Sequence, residues 1–289
     1  MLKEFSVLFL LISVFFIGCR KTNNSDALTI SHDNQSREYL IHIPDSYDGS
    51  TALPMLFNFH GFGGTASGFM NETNMRSLAN SENFILVYPQ GTRLNGFSHW
   101  NAGLDTPDNK SNADDLGFIE ALIIELSTQY NVDLERVYAC GYSNGSMFSH
   151  ALACYKSNLI AAIGSVSGAM LDTSNFCSPT HPTAVINIHG TSDNVLPYNG
   201  SNDYLPNAVV LNYWINHNNT QQTPIVSSTN DNGTTIEHYQ YIQGDSSVSV
   251  EHYKVINGEH EWFNMNYQGS NTGNLIWDFV SRYDINGLI

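Results

Sequence analysis

The chain has 289 residues and a formal net charge of −16 at pH 7. So acidic a chain repels phosphate backbones and anionic lipid surfaces, which excludes nucleic acid as an expected partner. Its length fits a single large α/β domain, and no internal repeat divides it.

The N-terminal 18 residues have the features of an export signal. A largely apolar run from Phe5 to Ile17 is too short to cross a bilayer core of about 30 Å, but it suits a signal peptide. The run ends at Gly18-Cys19, which resembles the lipobox of bacterial lipoproteins. We therefore expect residues 1–18 to be a signal peptide and Cys19 to carry a lipid that anchors the chain to a membrane, in the periplasm or at the outer membrane. An ordinary signal peptide, cut nearby to secrete the chain, is the alternative.

Residues 19–32 are polar and predict a lipidated tether, which leaves 33–289 as a single catalytic domain. Beyond the tether, strand-like and helix-like segments alternate, and this pattern predicts an α/β fold with a mostly parallel sheet covered by helices on both faces. The predicted strands are 38–43, 53–59, 84–88, 137–140, 160–166, 184–188 and two within 234–256. The predicted helices are 114–130, 147–155, 207–216 and 274–283.

Besides Cys19, the chain has three cysteines. Cys140 lies at the end of a predicted buried strand and is interpreted as a small hydrophobic residue. Cys154 and Cys177 flank one predicted helix–strand segment and could form a disulfide, since export permits one. No cysteine or histidine spacing typical of a metal site is present, and no metal is expected.

The segment Gly141-Tyr142-Ser143-Asn144-Gly145 matches the G-x-S-x-G motif. It follows a predicted strand and begins a predicted helix, which is the setting of a nucleophile elbow. The turn of such an elbow is so tight that side chains at its flanking positions would clash, and glycines avoid this. The sequence therefore predicts Ser143 as a nucleophile at the N-terminus of a helix.

A serine hydroxyl needs a base to activate it and an acid to orient that base. In folds with this elbow, the acid and then the histidine follow the serine along the chain. Asp193 comes just after the predicted strand 184–188, and His260 lies between the last predicted strand and the last predicted helix. We therefore predict a triad of Ser143, Asp193 and His260.

Other residues of the right chemistry compete for these roles. Asp203 is an alternative acid, but no predicted strand leads into it. His238 and His252 are alternative bases, although both fall within alternating β stretches, where we expect them to face solvent.

Acyl transfer also requires N–H donors for the oxyanion of the transition state. The amide of Asn144, directly after the nucleophile, is one candidate. The second is expected from the glycine-rich loop after the strand 53–59. We predict the amide of Phe62, with Gly61 as the alternative.

Several segments together resemble the polyhydroxybutyrate depolymerase and feruloyl esterase group of secreted α/β-hydrolases, over residues 37–285. The matching segments are HGFGG at 60–64, YPQGT at 88–92, HWNAG at 99–103, DDLGFI at 114–119, GYSNGS at 141–146, HGTSDNVLPY at 189–198 and GEHEW at 258–262. Many relatives have Cys, Gly and Pro where this chain has Phe62, Ser146 and Phe263, and these departures concern the shape of the substrate pocket.

The resemblance implies the α/β-hydrolase fold and an esterase with Ser143, Asp193 and His260 as its triad. It also implies that Trp100, Asn101 and Trp262 lie near the acyl or aromatic group of the ester. No metal or organic cofactor is implied.

The predicted function is hydrolysis of carboxylic esters of short-chain, hydroxyalkanoate, feruloyl or acetyl type, through an acyl-enzyme on Ser143. The expected partner is thus an ester substrate, and a monomer is the default. A peptidase or an acetylxylan esterase on the same scaffold is one alternative. A non-catalytic, polysaccharide-binding surface lipoprotein is another.

Overall fold

The computed structural model describes residues 27–103, 111–171 and 177–289. The predicted signal peptide and Cys19 lie outside these residues. The helices are α1 (Ala66–Thr73), α2 (Arg76–Glu82), α3 (Asp115–Gln129), α4 (Asn144–Tyr155), α5 (Asn207–His217) and α6 (Thr272–Val280). The strands are β1 (Leu28–His32), β2 (Gln35–His42), β3 (Leu53–Phe59), β4 (Ile85–Pro89), β5 (Thr92–Leu94), β6 (Phe97–His99), β7 (Val132–Tyr142), β8 (Ala162–Val166), β9 (Ala184–Gly190), β10 (Ile225–Asp231), β11 (Thr234–Tyr241), β12 (Val250–Val255), β13 (Tyr283–Asp284) and β14 (Gly287–Leu288).

Ten of the described strands form one sheet, in the order β1-β2-β4-β3-β7-β8-β9-β12-β11-β10. The six central strands, from β4 to β12, pair in parallel. Two antiparallel strands extend the sheet at each edge. This is the mostly parallel sheet that the alternation of segments predicts, and the α/β-hydrolase fold is confirmed.

The inner strands are apolar because they are covered on both faces. Every residue of β3, β4, β8 and β9 is buried, as expected for parallel strands between helical layers. Helices α3, α4 and α5 contribute to the hydrophobic cluster on one face, and α1, α2 and α6 to that on the other. Within the described ranges, no helix combines the length and the apolar character needed to cross a bilayer.

The predicted tether over 19–32 is too long, because its last residues belong to the sheet. Strand β1 pairs antiparallel with β2, and Leu28 lies opposite Tyr39. Leu28 and Ile30 pack against the core, while Thr29 and Ser31 are exposed. Five residues of period-two alternation within a polar stretch are a weak sequence signal, and the folded domain accordingly begins before residue 33.

A short hairpin of β5 and β6, which is not among the predicted elements, follows β4. Strand β10 and the helices α1 and α2 were also absent from the predicted elements. Strand β10 is largely exposed at the sheet edge, so it lacks the apolar alternation on which strand prediction depends.

The three cysteines of the described residues have two different environments. Cys154 at the end of α4 forms a disulfide with Cys177, whereas Cys140 is free and fully buried in β7. Burial raises the pKa of the Cys140 thiol, so this residue packs as a small apolar side chain. The disulfide links α4, which begins at the elbow, to the segment that precedes β9.

We expect the double variant Cys154→Ala/Cys177→Ala to lose about 3 kcal/mol of unfolding free energy, because the disulfide closes a loop with a sequence separation of 23 residues. Urea denaturation of the two proteins measures this difference. Dithiothreitol should lower the Tm of the wild type and leave that of the double variant unchanged. Equal unfolding free energies would contradict a stabilising role for the disulfide.

Candidate active site

The predicted site residues meet at one edge of the sheet. Ser143 follows β7, Asp193 follows β9, and His260 follows β12. Strands β7, β8, β9 and β12 are parallel neighbours, so their carboxyl ends meet at the same edge, where ligands bind in open α/β sheets.

The backbone of Ser143 is held in an unfavourable conformation, with φ 55° and ψ −120°. Two glycines make this turn sterically feasible. A β-carbon built on Gly145 would overlap the carbonyl oxygen of Phe59 in β3, and one built on Gly141 would overlap the carbonyl group of Gly145. The serine amide donates to the carbonyl of Val166 at 3.0 Å. Strained backbone of this kind persists where the surrounding structure fixes it, commonly at functional sites.

The side chains of Ser143, His260 and Asp193 form one hydrogen-bonded chain. His260 Nε2 lies 2.9 Å from Ser143 Oγ, and His260 Nδ1 lies 2.8 Å from Asp193 Oδ2. A carboxylate only accepts hydrogen bonds, so Nδ1 carries the proton and Nε2 presents its lone pair to the serine hydroxyl. The histidine ring is 13% exposed and the Asp193 side chain is fully buried, so solvent reaches the base but not the acid.

The environment of Asp193 favours its ionised form. Burial by itself raises the pKa of this carboxyl, but hydrogen bonds from His189, His260 and the amide of Leu196 outweigh burial and hold the pKa well below its usual range. The contribution of His189, which sits in β9, was not foreseen from the sequence. Its only sequence signal is its position four residues before Asp193.

The loops that carry the acid and the base are joined to each other. The amide of Thr191 donates to the carbonyl of Val255, and that of Ser192 to the carbonyl of Gly258, both at 2.9 Å. A β-carbon on Gly190 would overlap the Gly258 carbonyl, so the two loops are in direct backbone contact. Backbone contacts alone therefore set how far apart Asp193 and His260 lie.

Two further residues hold the backbone around His260 and were not predicted. Tyr142, inside the elbow motif, donates its hydroxyl to the carbonyl of His260 at 2.9 Å. Ser167, just after β8, donates to the carbonyl of Glu261 at 2.8 Å. Burial raises the pKa of Tyr142 to about 12, so its hydroxyl keeps the proton that it donates.

The predicted oxyanion donors lie on either side of Ser143. Asn144 is the first residue of α4, and the first N–H groups of a helix have no partner within it. On the other side, a β-carbon built on Gly61 would lie 3.3 Å from the β-carbon of Ser143. The loop that contains Phe62 therefore runs directly beside the nucleophile.

This glycine-rich loop is held by His60, which is buried at its start. The amide of Gly91 donates to His60 Nε2 at 3.0 Å. Nε2 is therefore an acceptor, and the proton on Nδ1 is donated to the carbonyl of Gly61 at 2.7 Å. Burial lowers the pKa of His60 to about 4, so the ring stays neutral and this arrangement persists over the pH range in which esters are commonly assayed.

Trp100 and Asn101, implied by the resemblance to lie near the ester, each contact the protein's own backbone. Trp100 is 1% exposed, stacks on Phe148 and donates its indole N–H to the carbonyl of His60. Asn101 is buried, and its side-chain amide donates to the carbonyls of Ser111 and Ala113. Trp100 thus supports the glycine-rich loop through His60, whereas Asn101 holds the segment 111–113. Their predicted contact with the ester stays a prediction.

The side chain of Asn144 extends this support. Its Oδ1 accepts from the amide of Trp100 at 2.7 Å, and its Nδ2 donates to the carbonyl of Trp100 at 3.0 Å. The elbow is thereby bound to the segment that follows β6. The G-x-S-x-G motif leaves this position unspecified, so the sequence does not predict the contact.

A cavity of about 350 Å³ lies between the glycine-rich loop and α1, and Tyr142, the residue before Ser143, is part of its lining. Phe62, Phe69 and Tyr142 supply its aromatic lining. The third predicted substrate residue, Trp262, is half-buried and packs edge-on against Phe69 with ring centroids 5.4 Å apart. At the rim, Phe62 and Phe97 stack with centroids 5.7 Å apart, although they are 49% and 57% exposed.

The alternative site residues lie elsewhere. The strand pattern predicted that His238 and His252 face solvent, but both are buried. His238 contacts Glu251 at 2.8 Å, and His252 contacts the Tyr198 hydroxyl at 2.8 Å. Both strands are covered on the face that was expected to be open. Asp203 is exposed and hydrogen-bonds through its own amide to Ser201.

The chain is similar to proteins named as esterases. A protein named "Probable feruloyl esterase C", from Aspergillus clavatus, is 33% identical over 186 residues, which cover 63% of this chain and 63% of that protein. Feruloyl esterase B from Piromyces equi is 26% identical over 259 residues, covering 86% of this chain and 46% of that protein. The chain thus spans about half to two thirds of the length of these relatives.

Among solved structures, an acetyl xylan esterase from Aspergillus awamori superposes with a TM-score of 0.59 at 15% identity, over 81% of this chain and 94% of that one. At this identity the similarity supports the fold alone. The resemblance to feruloyl esterases noted in the sequence is confirmed by the relatives. The sequence profile described as Phospholipase/Carboxylesterase matches residues 49–228, more than half of the chain. Because of this match, together with the nucleophile elbow and the mostly parallel sheet, the chain belongs to the phospholipase/carboxylesterase family of α/β-hydrolases.

Proposed function

We propose that this protein is a serine esterase that hydrolyses carboxylic esters through an acyl-enzyme on Ser143. The observation that carries the proposal is the position of His260, within hydrogen-bond distance of both Ser143 Oγ and Asp193 Oδ2. A nucleophile, a base and a buried, ionised acid in this order are the parts that acyl transfer requires. The esterase names of the relatives support the same reaction class.

In the proposed first step, His260 Nε2 takes the proton of Ser143 as Oγ attacks the ester carbonyl. Asp193 keeps the Nδ1 proton in place and stabilises the imidazolium that forms. The alcohol then leaves with the proton from His260. Water, activated by the same histidine, releases the acid and restores the serine.

The tetrahedral intermediate carries a negative charge next to the N-terminus of α4. We assign its stabilisation to the amide of Asn144, which the helix dipole assists, and to the amide of Phe62 in the adjacent loop. The buried His60 supports this assignment, because its two hydrogen bonds fix the loop without help from solvent. Donors fixed in advance need no reorganisation when charge develops.

The aromatic cavity between the glycine-rich loop and α1 favours an ester with a flat, apolar group. Phe62, Phe69 and Tyr142 line the cavity, and the exposed stack of Phe62 and Phe97 extends it outward. We therefore propose aromatic esters, such as those of phenolic acids, as the preferred class. Acetylated polysaccharide remains the alternative substrate that the acetyl xylan esterase fold suggests.

Replacing Ser143 by Ala should lower kcat/KM for p-nitrophenyl acetate and butyrate by about 10³-fold or more, because the acyl-enzyme cannot form. Stopped-flow or steady-state absorbance measures this loss. Ser228→Ala, on the exposed edge strand β10, is the matched control and should keep full activity. Equal turnover by the wild type and Ser143→Ala would refute the esterase proposal.

Replacing Phe97 by Ala should lower kcat/KM for methyl ferulate by about 3- to 10-fold, since one face of the stacked pair is lost. Hydrolysis of methyl butyrate, followed in a pH-stat, should change less than twofold. Phe97→Leu keeps apolar area but no ring, and should resemble Phe97→Ala if stacking is what matters. An equal fall for both esters would mean that Phe97 supports the loop and not the aryl group.

We also propose that the protein is exported and held at a membrane by a lipid on Cys19, as the segment Phe16-Ile17-Gly18-Cys19 suggests. Expressed at full length in a Gram-negative host, the wild type should incorporate labelled palmitate and partition with detergent. Cys19→Ser should incorporate none. Labelling of Cys19→Ser equal to that of the wild type would contradict the anchor.

A further inference from the structure

Four N–H groups lie within 3.2 Å of the carboxylate of Asp193. Oδ1 accepts from the amides of Val195 at 2.9 Å and Leu196 at 2.8 Å. Oδ2 lies 2.8 Å from His260 Nδ1 and 3.2 Å from His189 Nε2. The side chain is fully buried, so these donors take the place of water around the charge. Only one of them, His260, belongs to the proposed triad.

His189 is placed to serve Asp193 and the loop that follows it at once. It lies in β9 and is 2% exposed. Its Nε2 is 2.9 Å from the carbonyl of Leu196 as well as 3.2 Å from Asp193 Oδ2. Both of these atoms are acceptors, so Nε2 carries the proton and shares it between them. Nδ1 is buried and has no hydrogen-bond partner among the described residues, so the Nε2 contacts are the polar interactions that the ring makes there.

We propose that His189 is a positioning residue for the reaction, which holds Asp193 Oδ2 against His260 by sharing its Nε2 proton with that oxygen and with the Leu196 carbonyl. The inference rests on the esterase function proposed above. The two amides fix only Oδ1. A second fixed point on Oδ2 is needed to stop the carboxylate from turning about Oδ1 and away from the base.

The same contact moderates the charge that His260 experiences. A donor on Oδ2 withdraws part of the negative charge of the carboxylate, so the Asp193–His260 pair binds a proton less tightly than it would otherwise. The low pKa of Asp193, to which His189 contributes, is consistent with this direction. Loss of the donor should therefore make the pair hold its proton up to a higher pH.

The other titratable groups around this contact lie in β7 and β12 and in the loops that follow β9 and β12. His260 approaches from the loop after β12, and Tyr142 from the end of β7, with its ring 5.1 Å from that of His260. Behind His189, the ring of Tyr198 packs edge-on at 5.7 Å and its hydroxyl meets His252 Nε2. Burial lowers the pKa of His252 to about 3 and raises that of Tyr198. Neither group therefore changes charge between pH 5 and pH 9.

The test compares His189→Leu, which removes the donor at similar volume, with His189→Gln, whose side-chain amide can donate from nearly the same place. In His189→Leu we expect kcat for p-nitrophenyl acetate to fall by about 10- to 100-fold, as for a small displacement of a reacting group. KM should stay within about twofold, and the acidic limb of kcat/KM should move up by about half a pH unit or more. His189→Gln should bring kcat to within about fivefold of the wild type and return the acidic limb of kcat/KM to its wild-type pH.

Two kinetic results would overturn the proposal. One is that His189→Leu keeps the kcat of the wild type and its acidic limb of kcat/KM. The other is an equal loss of kcat in both variants with the limb unmoved, which would mean that His189 only fills space. Near-UV circular dichroism and Tm establish that the variants are folded. If His189→Leu does not fold, His189→Gln decides alone: a kcat within about fivefold supports the donor role, and a larger loss with an unmoved limb refutes it.

A second readout separates this proposal from the esterase function. The low-field proton resonance of His260 Nδ1–H reports its hydrogen bond to Asp193 and needs no turnover. His189→Leu should shift this resonance, and His189→Gln should leave it close to the wild-type position. If the wild type and Ser143→Ala are equally inactive, the esterase proposal fails, while an unshifted resonance in His189→Leu is what would refute the contact.

Discussion

The close approach of β3, β7 and α4 is the constraint on which the site depends. It exists because Gly141 and Gly145 have no β-carbon where the carbonyls of Gly145 and Phe59 stand. This approach lifts Ser143 above the sheet, brings the start of α4 beside it, and sets the glycine-rich loop after β3 against its other side. The proposed nucleophile and oxyanion donors are thus positioned by one backbone contact, and their spacing does not depend on flexible side chains.

A second backbone contact, between the loops after β9 and β12, does the same for the acid and the base. Gly190 and Gly258 touch, and amide hydrogen bonds from 191 and 192 join the two loops. The hydrogen-bonded side chains of Asp193, His260 and Ser143 then connect these two loops to the elbow. The proposed reacting groups are consequently held at strand ends, while the side chains of Phe62 and Phe97 are exposed to solvent.

Much of this arrangement could be predicted from the sequence, because the signals are local. The apolar runs of β3 and β9, the strand–turn–helix setting of Ser143, and the positions of Asp193 and His260 after strands can each be read within about ten residues. His189, Ser167 and the side chain of Asn144 could not be predicted. Ser167 and Asn144 contact partners that are distant in sequence, Glu261 and Trp100. The partners of His189 are only four and seven residues away, but the contact depends on how the chain turns after β9. The burial of His238 and His252 was not predicted either, because the alternation of polar residues in a strand does not reveal the partners that cover them. These partners are Glu251 and tyrosine rings.

The pairing of β1 with β2 also sets a distance. Because Leu28 already belongs to the sheet, only the residues between Cys19 and Leu28 separate a lipid on Cys19 from the folded domain. A chain of that length reaches at most about 30 Å when fully extended. The proposed anchor would therefore keep the folded domain close to the bilayer, out of contact with an insoluble substrate that lies beyond that reach.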